Sequence, residues 1–400
     1  MSKKNPADVA ADEYFELQMS RARRSRVTDI TLIVLLSVLM LAVALSVWLL
    51  PQSDFSEREN RHLQTLRGIA DADDPTRAIA DMYADQFPFR TSLVEVKAYI
   101  ELAGLKMENN GVILGRDCAL IAKPDYSPER LDNIEQNAEA VARFDEVMTE
   151  KGIKVTVATA PRQIDALEKY LPAMFGESRN LADELLDGAG VERIALGEAI
   201  SSQNGYTWFL TDHHWTPLGA YYAYAALGEE LGYEPLPLSE FRAETVSREF
   251  YGTIWSKSGI YGAPPDEITL YRYDGDTDFT VTDANSGEVY LEGLYDESKL
   301  EIKDKYSLFL GGDYGHVRIS DGSEKPRLLV VKDSYFDALA PFLARHFELD
   351  VIDLRYTSAR DSVAEYAAEQ GIDNILILFG EDSDSLLAAT TLTKLKFKLK

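Results

Sequence analysis

One cysteine, Cys118, stands in 400 residues. A single thiol excludes a disulfide framework and a cysteine-rich zinc site. Positive charge is also short. Lys and Arg number 41 against 67 Asp and Glu, a net charge of −26. A chain so acidic is repelled by phosphates, which argues against nucleic acid as a partner. Repeats, low-complexity tracts and a cofactor motif are all lacking. What is present is ordinary for a folded protein: 46% hydrophobic and 27% charged residues, which excludes global disorder. The length allows two to three domains or one large one.

One long apolar run is present. Ile30 to Leu50 reads ITLIVLLSVLMLAVALSVWLL, 21 residues without a charge, enough to span a bilayer as a helix. Pro51 suits its end, and Trp48 suits an interface. No small-residue cleavage site follows, so the run reads as an anchor rather than a signal peptide. Arg21, Arg23, Arg24 and Arg26 precede it; Asp54, Glu57 and Glu59 follow it. Positive residues stay in the cytoplasm, so residues 51–400 are expected outside. The first 50 residues hold 6 of the Lys and Arg and 5 of the Asp and Glu. The outer part therefore keeps 35 against 62, a net charge of −27. The lack of paired cysteines fits a bacterial envelope.

The expected organisation is a cytoplasmic tail (1–29), the span (30–50), a helical stalk or docking region (51–110) and an outer domain (111–400). Helix breaks fall near Asp71–Pro75 and at Phe87–Pro88. GVILGRDCALI (111–121) reads as two strands around a turn, with Cys118 as a small buried hydrophobe in that pattern. Pro128 to Lys151 reads as an amphipathic helix, Ile153 to Ala160 as a strand, and Thr216 to Leu231 as a helix. Residues 240–325, rich in Gly, Tyr, Asp and Thr, read as an antiparallel β-rich insertion. Beyond them, strands at 328–334, 349–354 and 374–380 alternate with helices at 335–346 and 358–370. That order implies right-handed crossovers and a parallel sheet buried on both faces. Sites in such sheets gather at the carboxyl ends of the strands, where Ser334, Arg355 and Gly380–Glu381 fall. The tail KLKFKLK (394–400) reads as an edge strand with lysines on its wet face.

The richest stretch for chemistry is Thr211-Asp212-His213-His214-Trp215-Thr216. In an extended segment Asp212 and His214 share a face and His213 points away. A carboxylate beside an imidazole is the orienter and base half of a triad. A metal site and a structural cluster remain open, although diverging histidines chelate one ion poorly, and no metal is expected. The best nucleophile is Ser334, which ends a strand and opens a helix whose free N–H groups suit an oxyanion. Simple helix capping by Ser334 or Asp333 is the competing reading.

These residues resemble the DHHW family, named for the tetrapeptide at 212–215. That family is similar to the SGNH-hydrolase-like domains of the alginate O-acetylation proteins. SERENRHL (56–63), DQFPFR (85–90), GVILGRDCALI, DHHWTPLGA (212–220), FYGTIWSKSG (250–259), DKYSLFLGG (304–312), VVKDSY (330–335) and VIDLRY (351–356) carry the resemblance by their order. It implies an α/β, SGNH-hydrolase-like parallel sheet flanked by helices, with the β-rich insertion at about 240–325, behind one membrane helix. It assigns Asp212, His214 and Ser334 to a catalytic triad. It implies an O-acetyltransferase acting on a cell-surface or secreted polysaccharide, with a multi-span membrane acyltransferase as partner. Arg355 and Tyr335 are candidates for substrate binding or the oxyanion site. Arg162 reads as a surface residue near the cleft, and Tyr251 and Tyr261 as packing or sugar-stacking residues. An esterase with the same triad and a non-catalytic polymer-binding protein are the alternatives.

Overall fold

The computed structural model describes residues 6–56, 58–59, 61–70, 72–176, 178–357, 363–387 and 391–395. The chain divides into two compact units, residues 1–94 and 95–400.

In the first unit, one helix runs from Pro6 to Leu49. At 1.5 Å per residue its 44 residues reach about 66 Å, so it continues well before Ile30. Its Tyr14–Leu49 part is long and apolar enough to cross a bilayer, and its large apolar side chains are mostly exposed. Short strands Phe55–Ser56 and Arg61–His62 pair, and the Pro75–Asp85 helix follows. Asp74 caps that helix by accepting from the Thr76 and Arg77 N–H groups, and Pro75 occupies its first turn.

The second unit is built on an eight-stranded sheet. Its strands are β1 (Lys154–Ala160), β2 (Ile194–Ala195), β3 (Thr280–Asp283), β4 (Val289–Glu292), β5 (His316–Ser320), β6 (Arg327–Lys332), β7 (Glu348–Asp353) and β8 (Asn374–Gly380). Their order is β4-β3-β5-β7-β6-β8-β1-β2. The five strands from β7 to β2 are parallel. β5, β3 and β4 continue the sheet in antiparallel fashion. Thus three strands between residues 240 and 325 extend the central sheet, while Arg242–Phe250 and Asp266–Arg272 form a separate antiparallel pair.

The apolar runs explain the burial. Leu328 and Val330 of β6 join the larger core on one face, and Leu329 and Val331 join the second core on the other. β8 divides likewise, with Leu376 and Leu378 on one face and Ile375 and Ile377 on the other. Each such side chain contributes about 1.5–3 kcal/mol by leaving water. The Pro217–Leu231 and Tyr335–Leu343 helices cover the first face, and the Pro128–Glu150 helix lies on the second. This fixed sheet holds the carboxyl ends of β6, β7 and β8 side by side.

Three local expectations change. Cys118 is exposed, because it and Asp117 both take positive φ in the turn between Val112–Leu114 and Leu120–Ala122. Arg162 is buried rather than superficial. Asp165 holds it bidentately at 2.7 Å, and Tyr126 Oη and the Ser178 and Arg179 carbonyls accept its remaining hydrogens. Leu392–Leu395 forms a 3-10 turn where the edge strand was expected to begin, and residues 396–400 lie outside the described residues.

Candidate active site

Residues 207–216 form a pinched loop rather than an extended strand. Trp208 and Trp215 make an antiparallel bridge, the Phe209 N–H donates to the His214 carbonyl, and the Thr216 N–H donates to the Thr207 carbonyl. Asp266 anchors the loop from outside. Its carboxylate accepts the Leu210 N–H at 2.9 Å, the Thr211 N–H at 2.7 Å and the Thr211 hydroxyl at 2.5 Å. The Trp215 indole donates to the Tyr335 carbonyl at 3.0 Å, tying the loop to the start of the helix after β6. Thr216 caps the Pro217–Leu231 helix through the Gly219 N–H.

At the loop's tip Asp212 is fully buried and accepts four hydrogen bonds. Oδ1 takes the His214 N–H at 3.0 Å and His214 Nδ1 at 2.5 Å. Oδ2 takes the Thr253 N–H at 2.7 Å and the Thr253 hydroxyl at 3.0 Å. Burial alone would raise this carboxyl's pKa, but His213, His214 and the donated hydrogens outweigh it and hold it well below the usual range. The ionised carboxylate fixes the proton of His214 on Nδ1 and leaves Nε2 as an acceptor. Nε2 lies 2.8 Å from Ser334 Oγ. The Tyr306 ring stacks on the imidazole at 3.9 Å with 5° between planes, and its hydroxyl donates to the Ser334 carbonyl at 3.2 Å. Gly252 is required beside this acid: a Cβ there would meet Asp212 Cβ at 2.3 Å.

Ser334 follows β6 and precedes the Tyr335–Leu343 helix. Its side chain makes no capping bond. The Asp333 carboxylate does the local work, accepting the Tyr335 N–H at 3.1 Å and the Gly380 N–H at 2.9 Å. Behind Ser334, the buried Lys332 ammonium contacts Asp313 at 2.5 Å and Asp337 at 2.7 Å, with Asp353 at 3.6 Å. Burial would lower its pKa, but these acids keep it charged.

Residues 191–352 match the DHHW protein family. Residues 112–264 match the SGNH hydrolase-like domain of the acetyltransferase AlgX. A 192-residue stretch is 26% identical to the probable alginate O-acetylase AlgJ of Pseudomonas fluorescens. That alignment covers 46% of this chain and 47% of the relative, so the chain matches only about half of that protein's length. Among solved structures, a DHHW family protein from Eubacterium siraeum aligns over 72% of this chain and 96% of its own, with 24% identity and a TM-score of 0.58. Bacillus cereus PatB1 with a sulfonyl adduct aligns over 71% and 98%, with 20% identity and a TM-score of 0.58. The fold is therefore of the SGNH-hydrolase-like α/β kind.

Ser334 and His213 open on a cleft of about 350 Å³, whose floor includes Glu381 and Asp382 beyond β8. That volume is at the small end of the range for small-molecule sites. Burial raises the pKa of both acids. Arg355 reaches the same cleft, but its guanidinium is bound by Asp353 at 2.6 Å and Asp313 at 3.0 Å. Tyr335 does not face it. Its ring is fully buried, and its hydroxyl donates to the His213 carbonyl at 2.8 Å and lies 3.2 Å from the Asp382 carboxyl. Tyr251 and Tyr261 pack on Trp255.

His213 departs from expectation. The loop bends, so the two imidazoles lie together, with centroids 3.8 Å apart. The donor atoms of Asp212, His213 and His214 all fall within 4.8 Å of one another. An ion at that point would have to displace the bonds that orient His214. Thr253, Asp266 and Tyr306 were missed as site residues. Thr253 and Tyr306 lie in FYGTIWSKSG and DKYSLFLGG, the stretches that carry the resemblance. Nothing local marks Asp266.

Proposed function

We propose that this chain is a membrane-anchored, extracytoplasmic acyltransferase that O-acetylates carbohydrate hydroxyls through Ser334, His214 and Asp212. The observation that carries this reading is the continuous relay from Asp212 to His214 Nδ1, and from Nε2 to Ser334 Oγ, at the mouth of a cleft. Ser334 Oγ attacks the acyl carbon of a donor while its proton passes to His214 Nε2. The leaving group departs with that proton. A sugar hydroxyl then attacks the acyl-serine, gives its proton to His214, and Ser334 recovers it as the ester bond to Oγ breaks. Asp212 holds the tautomer and stabilises the transient imidazolium. The helix N–H groups after Ser334 are taken, those of Tyr335 and Phe336 by Asp333 and that of Asp337 by the Ser334 carbonyl, so the Ser334 N–H itself is the donor that suits the oxyanion.

The match to alginate O-acetylation proteins supports a polysaccharide as acceptor and acetyl as the group transferred. The apolar helix supports a single N-terminal anchor, with its basic flank in the cytoplasm. A multi-span membrane acyltransferase would supply acetyl groups from the cytoplasmic side. Arg355, neutralised by two carboxylates, serves chiefly to hold the strand ends, and Tyr335 positions the loop from behind.

The test uses the full chain in detergent with 4-nitrophenyl acetate. Wild type is expected to gain one acetyl group on the peptide containing Ser334. Ser334→Ala and His214→Ala are expected to lose roughly three or more orders of magnitude in rate while melting normally. Unimpaired turnover in Ser334→Ala would overturn the assignment.

A further inference from the structure

Two histidines stand beside Ser334: His214 belongs to the relay, and His213 lines the cleft. Hydrogen-bond bookkeeping fixes the state of His213. The Asp212 carboxylate can only accept, so the Thr253 hydroxyl donates its hydrogen to Oδ2. Thr253 Oγ1 is then left as an acceptor for His213 Nδ1, 2.8 Å away, which must carry the proton. The imidazole's other nitrogen, Nε2, has a free lone pair. Among the described residues no group donates to it, and it is not one of the buried orphan atoms. It is open to the cleft that Ser334 also lines. Burial, reinforced by His214 alongside, pushes the His213 pKa down, so the ring is neutral near pH 7.

A neutral acceptor beside a nucleophile calls for a hydrogen-bond donor in the ligand. The attacking hydroxyl cannot fill that role, because its single hydrogen goes to His214 Nε2. A second hydroxyl on the same acceptor can. The two rings lie 3.8 Å apart at their centroids, close enough for adjacent hydroxyls to address one each.

We propose that His213 is an acceptor-binding residue: its Nε2 receives a hydrogen bond from the hydroxyl next to the one being acylated, so the site selects a vicinal diol over a lone alcohol. This rests on the acyl-transfer reading above. His213 takes no proton in the reaction. The attacking O–H passes its hydrogen to His214, the bond from the acyl carbon to Ser334 Oγ breaks, and that hydrogen returns to Oγ.

Two substitutions separate binding from mere support of Thr253. In His213→Asn the amide nitrogen stands where Nδ1 stood, keeping the bond to Thr253 and removing the cleft acceptor. In His213→Gln the amide oxygen reaches the place of Nε2, keeping the acceptor and losing the bond to Thr253. The full chain in detergent receives 4-nitrophenyl acetate with either 1,2-cyclohexanediol or cyclohexanol, and the acetylated products are measured by mass. One neutral hydrogen bond corresponds to about a threefold to tenfold preference for the diol in wild type. His213→Gln is expected to keep that preference and His213→Asn to lose it. No diol preference in wild type, or a preference kept by Asn and lost by Gln, overturns the proposal and leaves acyl transfer standing. An unacylated Ser334 peptide in wild type overturns both, and the mass of that peptide tells the two failures apart.

Discussion

Asp212→Asn is the most incisive perturbation of this site, because the carboxylate accepts four hydrogen bonds and donates none. An amide has one accepting oxygen and one donating nitrogen. If the nitrogen turns toward Thr253, it opposes the Thr253 N–H at a place where the carboxylate accepted at 2.7 Å. If it turns toward His214, it donates to Nδ1 and moves the imidazole proton to Nε2. That nitrogen faces Ser334 Oγ at 2.8 Å and could no longer take the serine's proton. The second arrangement disables the base, and the first leaves a buried donor unpaired at about 1–3 kcal/mol. A wrong tautomer in a triad of this type costs roughly 10⁴ in turnover. The expected result is therefore a fall of about 10³–10⁴ in the rate of Ser334 acetylation by 4-nitrophenyl acetate. Melting should show a loss of no more than about 3 kcal/mol, too little to unfold the chain. The acylation rate is followed by nitrophenolate release, and melting by circular dichroism. A variant that acylates within tenfold of wild type would refute the claim that Asp212 sets the tautomer.

Tyr306→Phe keeps the ring against His214 and loses the bond to the Ser334 carbonyl, so kcat/KM should fall by about threefold to tenfold. Tyr306→Leu also removes the stack and should be clearly worse, at near-unchanged KM; equal rates for the two variants would argue against the stack. Asp382 has its pKa raised chiefly by burial, so the folded chain holds that proton more tightly than the unfolded chain does. Its contribution is present below the ordinary carboxylate range and is lost as pH rises through the folded value. Asp382→Asn should therefore gain in melting temperature relative to wild type between pH 4 and pH 8, and a pH-independent difference would contradict this. Cys118, exposed and outside the cleft lining, should react with one equivalent of maleimide in the folded chain without loss of ester cleavage; protection until unfolding would contradict its place in the turn.

The parallel core was legible because its signal is continuous. Leu328–Val331 and Ile375–Leu378 can be buried only in a strand with apolar neighbours on both faces, and short connections then force the strand order. The same logic put Ser334 at a strand end before any contact was known. Composition reveals far less about the loop that meets it. Asp212 and His214 were paired by assuming extended backbone, and they are paired, but by a bend that Asp266 holds from 54 residues away. That bend also carries His213 back against His214 instead of away from it. No local pattern encodes such an anchor, since an isolated aspartate in a strand reads as a solvated side chain. Cys118 and Arg162 fail for a related reason. Apolar neighbours suggested a buried thiol where two positive φ angles turn it outward, and a charged residue suggested a surface where five donors could all be satisfied inside. Short-range periodicity thus determines the scaffold, whereas the reacting geometry depends on polar contacts between distant residues, each of which must be satisfied once buried. This makes Thr253, rather than a further core residue, the position most informative about the chemistry. Its one hydroxyl sets Asp212 on one side and the proton of His213 on the other.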